Sequence, residues 1–372
     1  MVKIAKHIEE IKPYKPGKPV TEVARELGLS DVVKLASNEN PLGPPPKAVE
    51  ALKTSAEEAS IYPDGNAYHL KNAITEYLKK KGYPVKFGQI ITGNGSNEII
   101  DIAMRALVSG DEEVLISEQG FIVYELISKA ADMNVVRVPL REDKVFDIDG
   151  FIEKINEKTK LICLINPNNP TGTYYTESDF EKMLEKTPHD AVVLVDEAYV
   201  EFAEAEDYPN SLDFHAKFPN MITVRTFSKA FGLSGIRLGY CVTTEEIADY
   251  MNRVREPFNT NYLAQKAGIA ALQSPEHVEK TVALNREAKQ YFYREFETLK
   301  LPFLPSETNF VMVKVGDTGS SAAECFDFML KKGVIVRPMA GYGFPDWIRV
   351  STGTEKQNKR CLEVLSEFCE RN

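Results

Sequence analysis

Met221-Ile222-Thr223-Val224-Arg225-Thr226-Phe227-Ser228-Lys229-Ala230-Phe231-Gly232-Leu233 is an apolar strand pattern running into a turn that carries a serine and a lysine, with Arg237 eight residues past Lys229. Upstream lies Leu194-Val195-Asp196-Glu197-Ala198-Tyr199, another apolar run, ending in an acid and a phenol. Further upstream comes Asn166-Pro167-Asn168-Asn169-Pro170-Thr171-Gly172. A lone lysine is usually a solvated surface charge. Three such clusters in this order, each at the carboxyl end of an expected strand or in the turn after it, point instead to a site. Ligands of open α/β sheets bind there.

Strands and helices alternate around these clusters. Strands are expected at Gln89–Gly93, Glu113–Ser117, Asn134–Pro139, Thr159–Asn166, Ala191–Val195, Met221–Thr226 and Gly239–Thr243. Helical spacing falls at Tyr68–Lys80, from Asn97 to Val108, and at Gly120–Ala130 and Glu177–Lys186. Continuous Val/Ile/Leu strands alternating with helices imply an α/β fold, a central mostly parallel sheet sandwiched by helices. After Pro257 the pattern changes to helices near Tyr262–Gln273 and His277–Lys300, then strands at Phe310–Val315, Val334–Pro338 and Trp347–Val350. The first forty-odd residues are proline-rich, which predicts an extended arm with a short helix near Glu22–Leu27 and a strand over Val32–Ala36. The expected division is an arm, 1–60, that joins the small domain; a large α/β domain, 61–257; and a small α+β domain, 258–372.

With 372 residues the chain can bury a large core, and its net charge of −10 is spread without long single-sign runs. That argues against a nucleic-acid or anionic-membrane partner. Cys163, Cys241, Cys325, Cys361 and Cys369 are scattered with no CxxC pair, which reads as reduced thiols in a cytoplasmic protein rather than a metal site. The amino terminus has no apolar signal-peptide core, and no apolar run approaches the ~20 residues of a membrane helix.

The clusters together supply what pyridoxal 5′-phosphate needs: an amine for a Schiff base, an acid for the pyridinium nitrogen, and hydroxyls with a guanidinium for the phosphate. Asp196 alone reads as a helix cap; in this company it reads as a carboxylate facing a cationic ring nitrogen. Tyr199, three residues on, and the amide of Asn169 would meet the ring's 3-oxygen. Gly93-Asn94-Gly95-Ser96-Asn97-Glu98 is a Gly-rich turn opening a helix, suited to a phosphate. Thr226, Ser228 and Arg237 would complete that phosphate site. Lys229 would link to the cofactor and then move the substrate's proton. Phe121 would stack on the ring.

These residues resemble the class I/II aminotransferases, fold-type I pyridoxal-phosphate enzymes. Within that family they are most similar to the branch acting on histidinol phosphate in histidine biosynthesis. The resemblance rests on TFSKAFGLSGIRLGY (226–240), VDEAYVEF (195–202), NPNNPTG (166–172), Ala36-Ser37-Asn38-Glu39-Asn40-Pro41-Leu42-Gly43, Tyr62-Pro63-Asp64 and Pro13-Tyr14-Lys15-Pro16-Gly17-Lys18-Pro19. It runs from the arm to Arg349. Gln119-Gly120-Phe121 stands where members often carry Pro-Thr-Tyr or Pro-Thr-Phe, and Ser96-Asn97 where Ala-Asp or Ser-Asp is commoner.

The resemblance implies a homodimer with sites at the subunit interface, Tyr62 reaching the phosphate of the partner's cofactor. It implies that Arg349 binds the carboxylate of glutamate and 2-oxoglutarate, that Arg337 meets the substrate phosphate, and that Tyr14 and Asn38 shape the pocket. An aromatic-amino-acid aminotransferase or a threonine-phosphate decarboxylase on the same scaffold fits the arginines too. A regulator carrying such a domain would need a basic DNA-binding module, for which this acidic chain has no room ahead of the arm. A non-catalytic binding protein would not need both Lys229 and Asp196.

Overall fold

The computed structural model describes residues 2–9, 11–13, 19–316 and 321–371. Tyr14 lies outside the described residues. The arm contributes a two-residue strand, Val33–Lys34 (β1). The central sheet follows: Ile90–Gly93 (β2), Glu113–Ser117 (β3), Asn134–Val138 (β4), Thr159–Ile165 (β5), Val192–Asp196 (β6), Met221–Thr226 (β7) and Gly239–Val242 (β8). Its order is β2-β8-β7-β6-β5-β3-β4. Neighbours from β7 to β4 pair parallel, while β8 runs antiparallel to both β2 and β7. Every residue of β6 and β7 is buried. This is the signature of strands covered on both faces, and it explains why their sequences do not alternate.

A smaller sheet, built from Phe303–Leu304 (β9), Phe310–Lys314 (β10), Arg337–Pro338 and Trp347–Ser351, has its own apolar cluster around Phe292, Phe296, Val311 and Val313. Val334–Ile335 (β11) pairs parallel with β1 and ties the arm to the carboxy-terminal segment. Arg337–Pro338 (β12) instead pairs antiparallel with Trp347–Ser351 (β13). The expected single strand Val334–Pro338 is therefore broken at Val336, because its two halves serve different sheets. The helix Tyr262–Leu272 packs its alanines against Leu70, Ile74 and Leu78 of the helix Tyr68–Lys80.

The proline-rich start is less extended than its composition implies. Residues 6–9 form a short helix, and Pro46–Ser55 is a helix of ten residues with Pro46 in its first turn. A proline there costs no hydrogen bond, since the first N–H groups of a helix lack intrahelical partners. Two further helices, Ile148–Lys154 and Glu245–Val254, complete the covering layers. Among the described residues no helix is long and apolar enough to cross a membrane.

The turn after Lys229 demands glycine at Gly232. Its φ is +69°, and a Cβ there would lie 2.1 Å from the Gly43 carbonyl oxygen of the arm. Gly235, which has no atom within 4 Å of such a Cβ, is the control. Gly232→Ala should destabilise the chain by about 2–4 kcal/mol, and Gly235→Ala should stay within about 0.5 kcal/mol, in urea unfolding. Equal effects would mean that the arm does not press on this turn.

Candidate active site

The site is built at the carboxyl ends of β5, β6 and β7. Asp196 ends β6 and is buried. The Ala198 N–H donates to its Oδ1 at 3.1 Å, and the Tyr124 hydroxyl donates to its Oδ2 at 3.1 Å. The carboxylate thus closes a local turn rather than capping a helix. Burial pushes its pKa up to about 6 against the pull of these two donors. Tyr199, also buried, packs its ring edge-on to Phe310 with centroids 5.3 Å apart. Its oxygen accepts from Asn38 Nδ2 at 2.9 Å, and burial pushes the phenol up to about 12.

Lys229 sits in the loop after β7, half-buried, with Nζ 3.4 Å from the Ser37 carbonyl oxygen and 5.6 Å from the Tyr199 ring centroid. Burial first, and the neighbouring Arg349 charge next, push its pKa down to about 8. The lysine is thus held near an acid and a phenol and is much closer to neutral than a surface lysine.

One end of the site is suited to an anion. The helix Ser96–Leu107 begins after Gly95, whose φ is +83°, and no side chain caps it. Beside it lies the Arg237 guanidinium, whose Nη1 donates to Ser234 O at 3.1 Å and Ser228 Oγ at 3.4 Å. A Cβ at Gly95 would lie 2.3 Å from Arg237 Nη2, so the glycine makes room for the guanidinium at the helix start. Thr226 and Ser228 add two buried hydroxyls. Uncapped N–H groups, a guanidinium and hydroxyls are the donor set a phosphate takes.

The opposite end is set by register. Pairing of β12 with β13 puts Arg337 directly opposite Arg349. Arg349 is buried, donates through Nη2 to Ala36 O at 3.0 Å and through Nη1 to Asn169 Oδ1, and lies 4.8 Å over the Phe310 ring. The Asn169 oxygen is thus taken, which leaves its amide nitrogen as the group able to donate elsewhere. Arg337 is half-buried.

These groups line one cavity of about 240 Å³, which collects thirteen of the fifteen site residues expected from sequence. Ser96, Asn97, Phe121, Asn38, Arg337 and Arg349 share it with Lys229, Asp196, Tyr199, Asn169, Thr226, Ser228 and Arg237. Tyr62 is not among them; it is exposed and stacks on the exposed Phe258 with ring centroids 4.7 Å apart. Sequence reasoning missed Tyr124, Tyr342 and the backbone carbonyls of Ala36 and Ser37. Tyr124 carried a usable signal: it lies three residues past Phe121, near one helical turn. Tyr342, between two glycines, carried none.

A family model described as "Aminotransferase class I and II" matches residues 30–365. The histidinol-phosphate aminotransferase of Akkermansia muciniphila is 44% identical over 363 residues, 97% of each chain. Histidinol-phosphate aminotransferase 2 of Carboxydothermus hydrogenoformans is 43% identical over 368 residues, 99% of each chain. The crystal structure of the Sinorhizobium meliloti histidinol-phosphate aminotransferase in complex with pyridoxal-5′-phosphate superposes with a TM-score of 0.88 at 24% identity, covering 100% of this chain and 98% of that one.

The depressed pKa of Lys229 is directly testable. Near pH 8 about half of its amines are neutral, whereas an exposed lysine titrates near ~10.4. An aromatic aldehyde followed by borohydride should label Lys229 ahead of the surface lysines, with a rate that rises through that pH. Mass spectrometry showing random labelling would contradict the assigned environment.

Proposed function

The chain belongs to the class I and II aminotransferases, and we propose that it makes L-histidinol phosphate and 2-oxoglutarate from imidazole-acetol phosphate and L-glutamate, reversibly, with pyridoxal 5′-phosphate as cofactor, in histidine biosynthesis. The observation that carries the reading is the single cavity with a softened lysine and a buried carboxylate at its centre, an anion cradle at one end and two register-paired arginines at the other. The donor set fits the cofactor: an amine, an acid and a phosphate-sized group of donors are all present. When bound, that cofactor supplies an aldehyde to carry the amino group and a ring to take up the electron pair left when Cα loses its proton.

The chain's residues do the rest. Lys229 would hold the cofactor through Nζ, and the same amine would be the group that moves the substrate's Cα proton. Asp196 would face the ring nitrogen and keep it cationic. Tyr199 and the Asn169 amide would donate to the ring's 3-oxygen, and Phe121 would cover one ring face. The helix start at Ser96 and Asn97, with Thr226, Ser228 and Arg237, holds the phosphate. Arg349 takes the carboxylate of glutamate and Arg337 the phosphate of histidinol phosphate, with Asn38 and Tyr14 shaping the pocket between. Two copies pair, Tyr62 crossing to the partner's cofactor phosphate; the exposed aromatic pair of Tyr62 and Phe258 supports that pairing. Five free cysteines fit a cytoplasmic setting.

The direct test is an amino-donor panel on the purified protein carrying pyridoxal 5′-phosphate. Histidinol phosphate should bleach the visible band far faster than phenylalanine, and the reverse ranking would contradict the proposal. Arg337→Ala should weaken histidinol phosphate relative to histidinol by roughly 2–5 kcal/mol, about one and a half to three and a half decades. Arg349→Ala should instead weaken glutamate. Equal losses on both histidinol forms in Arg337→Ala would remove its phosphate role.

Tyr62 is tested by mixing two inactive variants, Tyr62→Ala and Lys229→Ala. After subunit exchange, a mixed dimer has one site with both defects and one with neither, so activity should return. Proven exchange without recovery would rule out service to the partner's site.

A further inference from the structure

We propose that Ser351 and Asn38 form a hydrogen-bond relay that fixes Tyr199 as a donor into the cavity, so that the strand bearing Arg349 helps set the protonation of the lysine-linked cofactor. The proposal rests on the function proposed above and adds two positioning residues to it, one of which, Ser351, carried no signal in the sequence.

The direction of the relay follows from which atoms can only donate. The backbone N–H of Asn38 donates to Ser351 Oγ at 2.9 Å. The serine hydroxyl therefore turns its own hydrogen to Asn38 Oδ1, 2.7 Å away. That bond orients the amide and leaves Nδ2 to donate to the Tyr199 oxygen at 2.9 Å. The phenol accepts this bond and keeps its own hydrogen for a partner in the cavity it lines.

Nothing in this chain of bonds is loose. Asn38 and Ser351 are each 2% exposed. Asn38 sits at φ +57°, a left-handed conformation that asparagine tolerates better than most residues. Its carbonyl is also taken, accepting from Asn309 Nδ2 at 3.0 Å. Ser351 lies two residues past Arg349 on β13, so the two side chains share a face of the strand. Phe310, the register partner of Ser351, packs on both Tyr199 and Arg349. The ionisable groups around Tyr199 are Asp196 from β6, Lys229 from the loop after β7, Arg349 from β13 and Tyr342.

A phenol that accepts one hydrogen bond donates its own more strongly. Donation to the ring's 3-oxygen stabilises that oxygen most when the neighbouring imine nitrogen is unprotonated and leaves the negative charge uncompensated. The relay therefore holds the imine's pH midpoint down, and cutting it should let the midpoint rise.

The test uses the holoenzyme with pyridoxal 5′-phosphate and follows its visible absorbance against pH. Ser351→Ala should raise the midpoint by roughly 0.4–1 unit, the equivalent of one ordinary hydrogen bond. Ser351→Thr, which keeps the hydroxyl, should stay near wild type. In a Tyr199→Phe background, Ser351→Ala should add nothing. If Ser351→Ala does not fold, Ser351→Cys, close in shape with a weak donor, carries the same expectation. An unchanged midpoint, or the same shift without the phenol, would overturn the relay. A wild-type chain with no visible band would overturn the proposed function itself, and the relay with it.

Discussion

A carboxylate buried at the end of a central strand is the constraint on which the rest of this structure depends. Asp196 is 3% exposed, and a charge there is costly unless it is satisfied. Two donors are built in, the Ala198 N–H and the Tyr124 hydroxyl, yet its pKa still stands well above that of an ordinary aspartate. What completes the site electrostatically is a cation, and the proposed pyridinium nitrogen is one. Directly behind it, Glu197 and Arg225 form a buried pair with Nη2 to Oε2 at 2.7 Å, joining the ends of β6 and β7. That pair sits beside both the acid and the strand leading to Lys229. Removing one partner would leave an uncompensated charge behind the site.

The second constraint is the path of the arm. Residues 36–43 run between the two sheets and spend their polar groups there. Ala36 O meets Arg349, Ser37 O meets Lys229, and Asn38 meets Tyr199. Asn40 Nδ2 donates to Ala230 O and to Thr281 Oγ1, both at 3.0 Å. The Gly43 carbonyl pairs with the His277 ring and presses on Gly232. The NENPLG stretch is thus a clamp between the lysine loop, the arginine strand and the helix that starts at Pro275. Each asparagine in it has a definite partner, which gives the motif a physical reason beyond resemblance.

The central sheet was legible because its strands, buried on both faces, are written as unbroken apolar runs with the chemistry at their carboxyl ends. Asp196, Thr226 and Lys229 stand where such runs end, and it is their company with one another that marks them as a candidate site. The arginines were legible as charges inside apolar strands, but their facing each other was not, since register is a tertiary fact. The break at Val336 was hidden for the same reason: five residues that look like one strand serve two sheets. The helix Pro46–Ser55 was masked by prolines that mark a helix start as readily as an extended arm. Ser351 was silent because a buried hydroxyl announces its partner only once the fold is known.

The most direct measurement is single-turnover spectroscopy of Asp196→Ala, loaded with pyridoxal 5′-phosphate and mixed with glutamate. If the buried carboxylate keeps the ring nitrogen cationic, the half-reaction should slow by orders of magnitude while the cofactor remains bound through Lys229. A half-reaction at wild-type speed would show that Asp196 only closes a turn, and the account built on its burial would fall.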